Sequence, residues 1–447
     1  MNLEKTTLEN CCILFPSVCI PLSRRLATRL IWSFHDCLVR YFDIRIGVIA
    51  LNEQIAQDQV LVRYGEIALK SAGIRGHFEV QLTRHLKAML ALKDVPFSNI
   101  KRERGRFFIQ TSDPQAIAEV AARVFGVVST SPVWTVPSKP DQILELIGRL
   151  TPQLVSEGNA FAVRARRLKN MPFTSQELAA QVGAKIIDTA KAANQPVSVN
   201  LDKPDVEVHV EVRKKSTYLF TQIIPGPGGL PYGSQGMVIG LHSGGLDSPV
   251  AQWLMMKRGA SVLPLYMDSD STSEKLFRNR AIQSAKILAD WIPSTQVQIL
   301  IVPFYETLKH IQEVGDRKLT CVLCKRMMYR IGAMVASQEG AQALVTGETL
   351  GQVASQTLTN LTILDSVVSV PIFRPLIGMD KTETMDLARR IGTYEVSSKD
   401  VGECFAVPKK PTIGAELNKV HEAEYRLPIT RMVSNAMSQL ERLPLEK

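Results

Sequence analysis

One short segment constrains the fold of this chain more than any other. An apolar stretch, residues 237–241, leads into HSGGLDS at residues 242–248, and the apolar segment PVAQWLMMKRG follows. Gly244 and Gly245 allow the backbone to approach a phosphate closely, and the start of a helix supplies unpaired N–H groups with a partial positive charge. The pattern therefore predicts a buried strand, a phosphate-binding loop and a helix.

The polar side chains of this loop indicate a nucleotide that is held with a cation. Ser243 and Ser248 can donate hydroxyl hydrogen bonds to a phosphate, whereas Asp247 is unfavourable beside an anion unless it holds a cation. We therefore expect Mg²⁺ to bridge Asp247 and a bound pyrophosphate group. An ordinary turn with a helix cap is the alternative for a bare Ser-Gly-Gly, but the complete SGGxDS spacing favours phosphate. No GK[ST] follows, so the loop is not of the Walker type.

The order of elements around the loop predicts an α/β domain. Strands are expected at residues 237–241, 261–266, 298–302 and 342–346, with helices between them. Near-continuous apolar strands separated by helices are typical of a parallel sheet that is covered on both faces. Ligands of such doubly wound sheets bind at the carboxyl ends of the strands, which is where the loop lies.

The Pro- and Gly-rich segment IPGPGGLPYGSQG, residues 224–236, predicts a linker in front of this domain. Before it we expect strands at 59–63, 106–110, 161–166, 197–201 and 206–212, and helices over 78–90, 114–125 and 175–190. This mixed pattern fits two small α+β units better than one. Residues 1–57 carry no interpretable pattern, and a start codon assigned too far upstream is one hypothesis for them.

The composition favours a polyanionic partner and a reducing compartment. The chain has 447 residues and a net charge of +10, and clustered Lys and Arg side chains gain free energy when they neutralise phosphates. Its seven cysteines are odd in number and scattered, which does not suit a disulfide framework and suits metal binding or catalysis. The apolar segment 11–22 contains prolines and is shorter than a membrane span of about 20 residues. We therefore expect a cytoplasmic protein without a membrane segment.

Four further segments resemble the tRNA 4-thiouridine synthetases, the ThiI family of tRNA sulfurtransferases. They are RYGEIALKSAGIRGHFEVQL at 63–82, CKRMMYRIGAMVA at 324–336, TGETLGQVASQTLTNL at 346–361 and FRPLIGMDKTETMDLARRIGT at 373–393. SGGxDS is the pyrophosphatase loop, or PP-loop, of enzymes that cleave ATP between its α- and β-phosphates. The resemblance implies a ferredoxin-like domain at 58–111, a THUMP RNA-binding domain at 112–223, the linker at 224–236 and a PP-loop domain at 237–447.

The resemblance also implies which residues bind ATP. The phosphates would be held by Ser243, Gly244, Gly245, Asp247 and Ser248. The remaining nucleotide positions of the family are matched by Leu241, His242, Tyr266, Met267, Lys325, Gly347 and Gln356. Lys325 offers a cation for phosphate, and Gly347 allows a close backbone approach. Plain core packing is the alternative for Tyr266 and Met267.

Three cysteines match the sulfur chemistry of the family. Cys404, in GECFAVPKKPT, matches the cysteine that takes part in sulfur transfer, with a buried structural thiol as the alternative. In archaeal-type members a CxxC pair, here Cys321 and Cys324, joins this cysteine to hold an iron–sulfur cluster with an open iron position. A persulfide or disulfide relay, or no role for the pair, are the alternatives. Because the sequence ends at Lys447 without a rhodanese domain, we expect an external sulfur donor, either a cysteine desulfurase persulfide or sulfide.

The basic residues of the first two domains are expected to bind the phosphates and the shape of tRNA, with a merely solvated face as the alternative. They are Lys70, Arg75, Arg104, Arg106, Arg164, Arg166 and Arg167. The resemblance implies that a tRNA uridine, expected at position 8, is adenylated on O4 and then receives sulfur to give 4-thiouridine. It further implies a second role in sulfurating a carrier protein for thiamine synthesis, and it leaves a homodimer as one oligomeric state.

Two other functions stay open at this point. A different PP-loop adenylating enzyme would act on another tRNA base or on a small substrate, for instance to make an amide, but it would have no use for the three cysteines. A tRNA-binding protein without chemistry would not need Ser243 and Asp247. We therefore expect the sulfurtransferase.

Overall fold

The structure, a computed structural model, describes residues 55–169, 171–270 and 275–446. Residues Gln57–Lys447 form one compact unit, to which all the elements below belong. The expectations about residues 1–54, including the apolar segment 11–22, lie outside the described residues. Within the described ranges, no helix combines the length and the apolar character that a membrane crossing requires.

The first part of the chain folds into a sheet with two helices on one face. Its elements are β1 (Gln59–Tyr64), α1 (Ala72–Leu92), β2 (Asn99–Glu103), β3 (Arg106–Gln110), α2 (Pro114–Ala121) and the long β4 (Val127–Pro137). Strand β1 pairs antiparallel with both β3 and β4. Leu82 and Leu86 of α1 and Ile117 of α2 are buried against β1 in one apolar cluster. The side chain of Asp113 accepts a hydrogen bond from the Ala116 N–H, which fixes the start of α2.

The next part continues the same sheet. Its elements are α3 (Pro140–Leu154), β5 (Ala160–Arg167), α4 (Ser175–Ala192), β6 (Ser198–Val199), β7 (Val206–Val212), β8 (Ser216–Phe220) and β9 (Ile224–Pro225). The strand order is β2-β3-β1-β4-β8-β7-β5-β6, and β9 also pairs with β4. The first half of β4 pairs with β1 and its second half with β8. Helix α2 packs on the part of the sheet that contains β1 and the first half of β4. This packing favours a domain boundary within β4, whereas our sequence-based bounds placed the boundary between residues 111 and 112.

The last part confirms the predicted doubly wound parallel sheet. Its strands are β10 (Met237–Leu241), β11 (Ser261–Asp268), β12 (Gln298–Pro303), β13 (Leu344–Val345), β14 (Ile372–Phe373) and β15 (Glu441–Pro444). The order is β14-β13-β10-β11-β12-β15, and β15 alone among these described strands is antiparallel to its neighbour. Strand β13 is shorter than the expected 342–346 strand, because its ladder to β10 extends over only Leu344 and Val345.

Helices cover both faces of this parallel sheet. They are α5 (Asp247–Lys257), α6 (Leu276–Ala289), α7 (Tyr305–Val314), α8 (Thr320–Glu339), α9 (Leu358–Asp365), α10 (Lys381–Ile391), α11 (Tyr394–Ser397), α12 (Leu417–Tyr425) and α13 (Ile429–Ser438). Ile239 of β10 packs with Val335 of α8 on one face. Val238 packs with Trp253 of α5 and Ala388 of α10 on the other face. This alternation is what the strand-and-helix pattern predicts for a sheet buried on both sides.

The segment expected to be a linker is tied to both neighbouring parts. The Gly226 N–H donates to the Val128 carbonyl at 2.8 Å, and the Leu230 N–H donates to the Lys257 carbonyl at 3.0 Å. Gly229 has a φ of +76°, and a Cβ there would lie 1.9 Å from the Lys257 carbonyl oxygen. Leu230 is buried in the apolar cluster of the first part. The Pro and Gly residues therefore build a fitted connector that lets two backbones pack closely.

Candidate active site

The PP-loop lies at the start of α5, and hydrogen bonds to its own serines fix its conformation. The Ser243 N–H donates to Ser248 Oγ at 3.0 Å, and the Gly245 N–H donates to Ser243 Oγ at 3.3 Å. Gly244 has a φ of +73°, and a Cβ at this position would lie 2.6 Å from backbone atoms of Ala281. Only glycine fits here without a shift of α6.

Gly347 closes the loop from the neighbouring strand. It lies two positions after the end of β13, and a Cβ on it would lie 2.7 Å from the Asp247 carbonyl carbon and from the Ser248 nitrogen. The lack of a side chain at Gly347 therefore brings the end of β13 against the first turn of α5. This places two of the expected nucleotide positions beside each other.

His242 serves the fold with its ring. Its Nε2 lies 3.0 Å from the Ala281 carbonyl and 2.8 Å from Ser284 Oγ, and Gln252 Nε2 lies 3.1 Å from its Nδ1. Because the Gln252 amide donates to Nδ1, the hydrogen resides on Nε2 and is donated to the carbonyl. Burial lowers the pKa of His242 to about 4, so the ring is neutral. A nucleotide contact of His242 stays a prediction, and it would have to use the backbone.

Asp247 is engaged by two residues that sequence reasoning did not single out. Lys381 Nζ, at the start of α10, lies 2.8 Å from Asp247 Oδ1, and Gln352 Nε2 donates to Asp247 Oδ2 at 3.1 Å. Both residues lie in segments that carry the family resemblance, which is the signal that could have found them. The site thus holds a carboxylate paired with a lysine ammonium next to the phosphate loop, and carboxylate oxygens are ligands that suit Mg²⁺.

The side chains of Tyr266 and Met267 are buried, and a nucleotide contact of either residue stays a prediction. Tyr266 is 4% exposed and Met267 is 7% exposed, and they lie in different apolar clusters. Burial raises the pKa of Tyr266, and Asp268 and Asp270 raise it further. The Tyr266 hydroxyl and the Gln356 Oε1 are buried without a hydrogen-bond partner among the described residues. A buried acceptor of this kind is costly unless a ligand or water satisfies it.

The three cysteines named from the sequence line one cavity. Its volume is about 180 Å³, and its wall includes Cys321, Cys324, Cys404, Lys325 and Ser355. Cys321 and Cys324 lie in the first turns of α8, and Cys404 is exposed on the segment between α11 and α12. Burial raises the pKa of Cys321 and of Cys324, the neighbouring thiols raise both further, and Lys325 opposes the shift. Residues more than 70 positions apart in the chain thus share one apolar pocket.

The donor chemistry of this cavity fits an iron–sulfur cluster, because thiolates are the usual ligands of such clusters. All three cysteines line the same cavity. No group of three or more His, Cys, Asp or Glu residues in the described ranges is gathered closely enough to hold a metal ion. The cluster therefore stays a prediction, as does the persulfide relay.

Glu348 forms a buried network beside this cavity, and it is a further residue that the sequence analysis did not assign. Lys325 Nζ lies 2.8 Å from Glu348 Oε1. Tyr329 OH and Arg374 Nε donate to Oε2 at 2.7 and 2.8 Å, and Thr346 Oγ1 donates at 3.0 Å. Burial alone would raise the pKa of Glu348, but Lys325, Tyr329 and Arg374 outweigh it and lower this pKa to about 2. The carboxylate is therefore charged.

The basic residues expected to bind tRNA differ in how far they are already paired. Lys70 lies 3.2 Å from Glu66, Arg75 lies 3.8 Å from Glu79, Arg106 lies 3.1 Å from Glu211, and Arg164 lies 2.9 Å from Glu207. Arg167 donates to the carbonyls of Leu168 and Lys169. Arg104 and Arg166 are exposed. These two guanidinium groups are the better candidates for an incoming phosphate.

Family models match this chain in three consecutive ranges. Residues 59–131 match the ThiI ferredoxin-like domain, and residues 138–222 match the THUMP domain. Residues 233–429 match the family described as thiamine biosynthesis protein (ThiI). The gap between the first two ranges lies within β4, in agreement with the packing of α2.

Relatives of known name and structure extend over the same part of the chain. A probable tRNA sulfurtransferase from Methanosarcina acetivorans is 44% identical over 390 residues, which are 86% of this chain and 93% of that protein. A crystal structure of a 4-thiouridine synthetase in complex with RNA and ATP is similar with a TM-score of 0.73 and 29% identity, over 87% of this chain and 100% of that one. The crystal structure of PH1313 from Pyrococcus horikoshii is similar with a TM-score of 0.55 and 26% identity, over 75% and 99%. This chain therefore belongs to the ThiI family of tRNA sulfurtransferases.

Proposed function

We propose that this protein consumes ATP to activate a tRNA uridine and then exchanges the uridine O4 for sulfur, giving 4-thiouridine. One observation supports this two-step chemistry most strongly. The phosphate loop and the three-thiol cavity adjoin, because Gly347 packs on the start of α5 while its neighbour Glu348 holds Lys325, which lines the cavity. An adenylated base bound at the loop would lie next to a source of sulfur.

In the first step the residues of the PP-loop bind the phosphates of ATP. The uridine O4 attacks the α-phosphate of ATP, and pyrophosphate leaves. Backbone N–H groups of the loop and the hydroxyls of Ser243 and Ser248 donate to phosphate oxygens, where negative charge develops. A bound Mg²⁺ would neutralise the leaving pyrophosphate, with Asp247 as its protein ligand. Lys381, released from Asp247, would then face the same phosphates.

The second step uses the cavity. Sulfur held there replaces AMP on the activated carbon, and Cys404 is the thiol best placed to receive it, because Cys404 is exposed. A cluster on Cys321, Cys324 and Cys404, when bound, would supply an iron position for sulfide. In the relay alternative a desulfurase persulfide transfers its outer sulfur to the Cys404 thiol, and that sulfur then attacks the activated carbon and displaces AMP. Cys321 attacks Cys404 Sγ, which releases 4-thiouridine and leaves a Cys321–Cys404 disulfide that an external thiol reduces. A desulfurase persulfide is the sulfur donor for the relay, and sulfide is the sulfur donor for the cluster.

The proposal that this protein binds RNA rests on Arg104 and Arg166 and on the similarity to a synthetase that was crystallised with RNA. We propose that the ferredoxin-like and THUMP domains bind tRNA and present the uridine expected at position 8. The description of the matching family also favours a second role in thiamine biosynthesis. There the same activation would act on the carboxyl terminus of a carrier protein.

Anaerobic purification followed by an iron count and an absorption spectrum tests how sulfur is held. If the cavity holds a cluster, the protein is brown and contains iron, and Cys321→Ser or Cys404→Ser removes both. A colourless protein that releases AMP in the presence of tRNA, ATP and a persulfide donor supports the relay. A folded protein that releases AMP only with an amino acid or a nucleotide as acceptor contradicts the proposed function.

A further inference from the structure

Glu348 links the phosphate loop to the cysteine cavity. Its neighbour Gly347 packs against the first residues of α5. Its Oε1 lies 2.8 Å from the Lys325 ammonium, and Lys325 lines the cavity together with the three cysteines. A charged carboxylate therefore lies between the two places where the proposed steps occur.

Glu348 is itself held more firmly than Lys325. It is 4% exposed, and its Oε2 accepts hydrogen bonds from Tyr329, Thr346 and Arg374. The Lys325 side chain is 25% exposed, and a lysine ammonium sits on a flexible stem with many rotamers. A fixed carboxylate restricts such a group to one position in advance of ligand binding.

We propose that Glu348 is a positioning residue, which fixes the Lys325 ammonium at the wall between the phosphate loop and the cysteine cavity. The ammonium then meets the ATP phosphates without first losing side-chain freedom. This inference rests on the proposed function, because it requires Lys325 to contact ATP. It adds a residue that touches neither ATP nor sulfur and acts through its neighbour.

A double-mutant cycle on ATP affinity tests this role. The Kd of ATP with Mg²⁺ is measured by calorimetry for the full chain and for Lys325→Met, Glu348→Gln and the double variant. Glu348→Gln keeps the shape of the side chain and removes the charge that holds Lys325. We expect each single variant to raise the Kd about tenfold, the scale of one charge-assisted hydrogen bond. We expect the double variant to bind no more weakly than Lys325→Met alone.

The outcomes separate this inference from the proposed function. If Lys325→Met leaves the Kd unchanged, the assignment of Lys325 to ATP fails, and the inference fails with it. If Lys325→Met weakens binding but Glu348→Gln does not, or if the two losses add, the positioning role is overturned and the proposed function stands.

A second variant covers the case in which Glu348→Gln does not fold, as judged by thermal unfolding. Tyr329→Phe removes one hydrogen bond to Glu348 and leaves the Lys325 pair in place. We expect it to raise the Kd about threefold in the wild-type background and not at all in the Lys325→Met background. No loss, or an equal loss in both backgrounds, overturns the inference.

Discussion

His242 belongs to the motif that defines this site, yet its ring bonds to Ala281, Ser284 and Gln252 in the interior. The motif therefore combines residues for the ligand with residues for the fold. Sequence patterns do not separate these roles, because the separation depends on which direction each side chain takes from the loop. The structure places the side chains of His242, Tyr266 and Met267 in the interior.

The neutral ring of His242 predicts a loss of stability in mild acid. Burial lowers the pKa of His242 from the ordinary 6.5 to about 4, so between these values the unfolded chain binds a proton that the folded chain does not. The free energy of unfolding should fall as the pH drops from 6.5 towards 4. His242→Gln should show a shallower fall in urea unfolding across this range. An unchanged slope would contradict the burial of a neutral ring. Burial likewise lowers the pKa of His85 to about 4. This residue contributes equally to the pH dependence of the wild-type protein and of His242→Gln.

The two glycines of the loop predict losses of different size on substitution by alanine. Gly244→Ala adds a Cβ at a φ of +73° and 2.6 Å from the Ala281 backbone, whereas a Cβ on Gly245 would have 3.5 Å to its nearest neighbour, Ser243 Oγ. We expect Gly244→Ala to cost about 2 kcal/mol or more of unfolding free energy, and Gly245→Ala to cost under about 1 kcal/mol. Chemical denaturation of both variants provides the comparison. Equal losses would show that the close packing of Gly244 on α6 is not the cause.

The residues that sequence reasoning missed share one property. Lys381, Gln352 and Glu348 act on Asp247 or Lys325 through contacts between distant parts of the chain. The PP-loop could be predicted because its chemistry lies in consecutive residues. A contact between Asp247 and Lys381 depends on how α5 and α10 pack, and no local pattern contains that information.

At the scale of elements, the sequence predicts the strands that are continuously apolar, such as MVIGL, or that alternate apolar and polar residues, such as VEVHVEV. The strands at 206–212 and 237–241 have the predicted bounds, and β11 and β12 extend only slightly past theirs. The expected strand at 197–201 is reduced to Ser198–Val199, whose residues are exposed. Such short ladders depend on the partner strand and the turns beside them, which periodicity does not reveal.

Helix α5 connects the PP-loop to the first part of the chain. It begins at Asp247, and its Trp253 lies 5.6 Å from the ring of Phe125 and 5.3 Å from that of Trp291. Phe125 and Trp253 are both almost fully buried. This aromatic cluster holds the helix of the phosphate loop against the residues that precede β4.

Truncation of Phe125 should therefore destabilise the molecule. Phe125→Ala leaves a cavity between Trp253 and Trp291, and we expect a loss of about 3–5 kcal/mol in the free energy of unfolding, measured by urea denaturation. Leu69→Ala is the matched control, because Leu69 is 86% exposed and should cost less than about 0.5 kcal/mol. A loss below about 1 kcal/mol for Phe125→Ala would contradict the buried cluster.

At the scale of the whole molecule, the ferredoxin-like and THUMP parts share one sheet, and a fitted connector joins them to the PP-loop domain. The sequence predicts that each part mixes strands with helices, but it does not predict that one sheet runs through both parts. The sequence analysis predicted no strand at β4, and the pairing of this strand with β1 and β8 is a tertiary property. The Gly-rich connector likewise has the composition of a flexible linker, although its glycines serve close packing.

The positive charge of the first two domains predicts a salt-dependent interaction with tRNA. Arg104→Ala or Arg166→Ala should weaken tRNA binding and reduce the slope of log Kd against log salt by about one each. Arg106→Ala is the control, because Arg106 is already paired with Glu211. It should change the slope less and should lower the stability instead. Filter binding across a range of salt concentrations measures the slopes, and equal slopes for all three variants would contradict the assignment.

Nucleoside analysis of tRNA after incubation with the anaerobically purified protein, ATP, Mg²⁺ and a sulfur donor tests the central proposal most directly. The account predicts 4-thiouridine that forms only with ATP and that disappears in Asp247→Asn and in Cys404→Ser. Asp247→Asn should also abolish AMP release, whereas Cys404→Ser should retain the release of pyrophosphate. Absence of ATP-dependent 4-thiouridine from the folded wild-type protein, supplied with either sulfide or a persulfide donor, would contradict it.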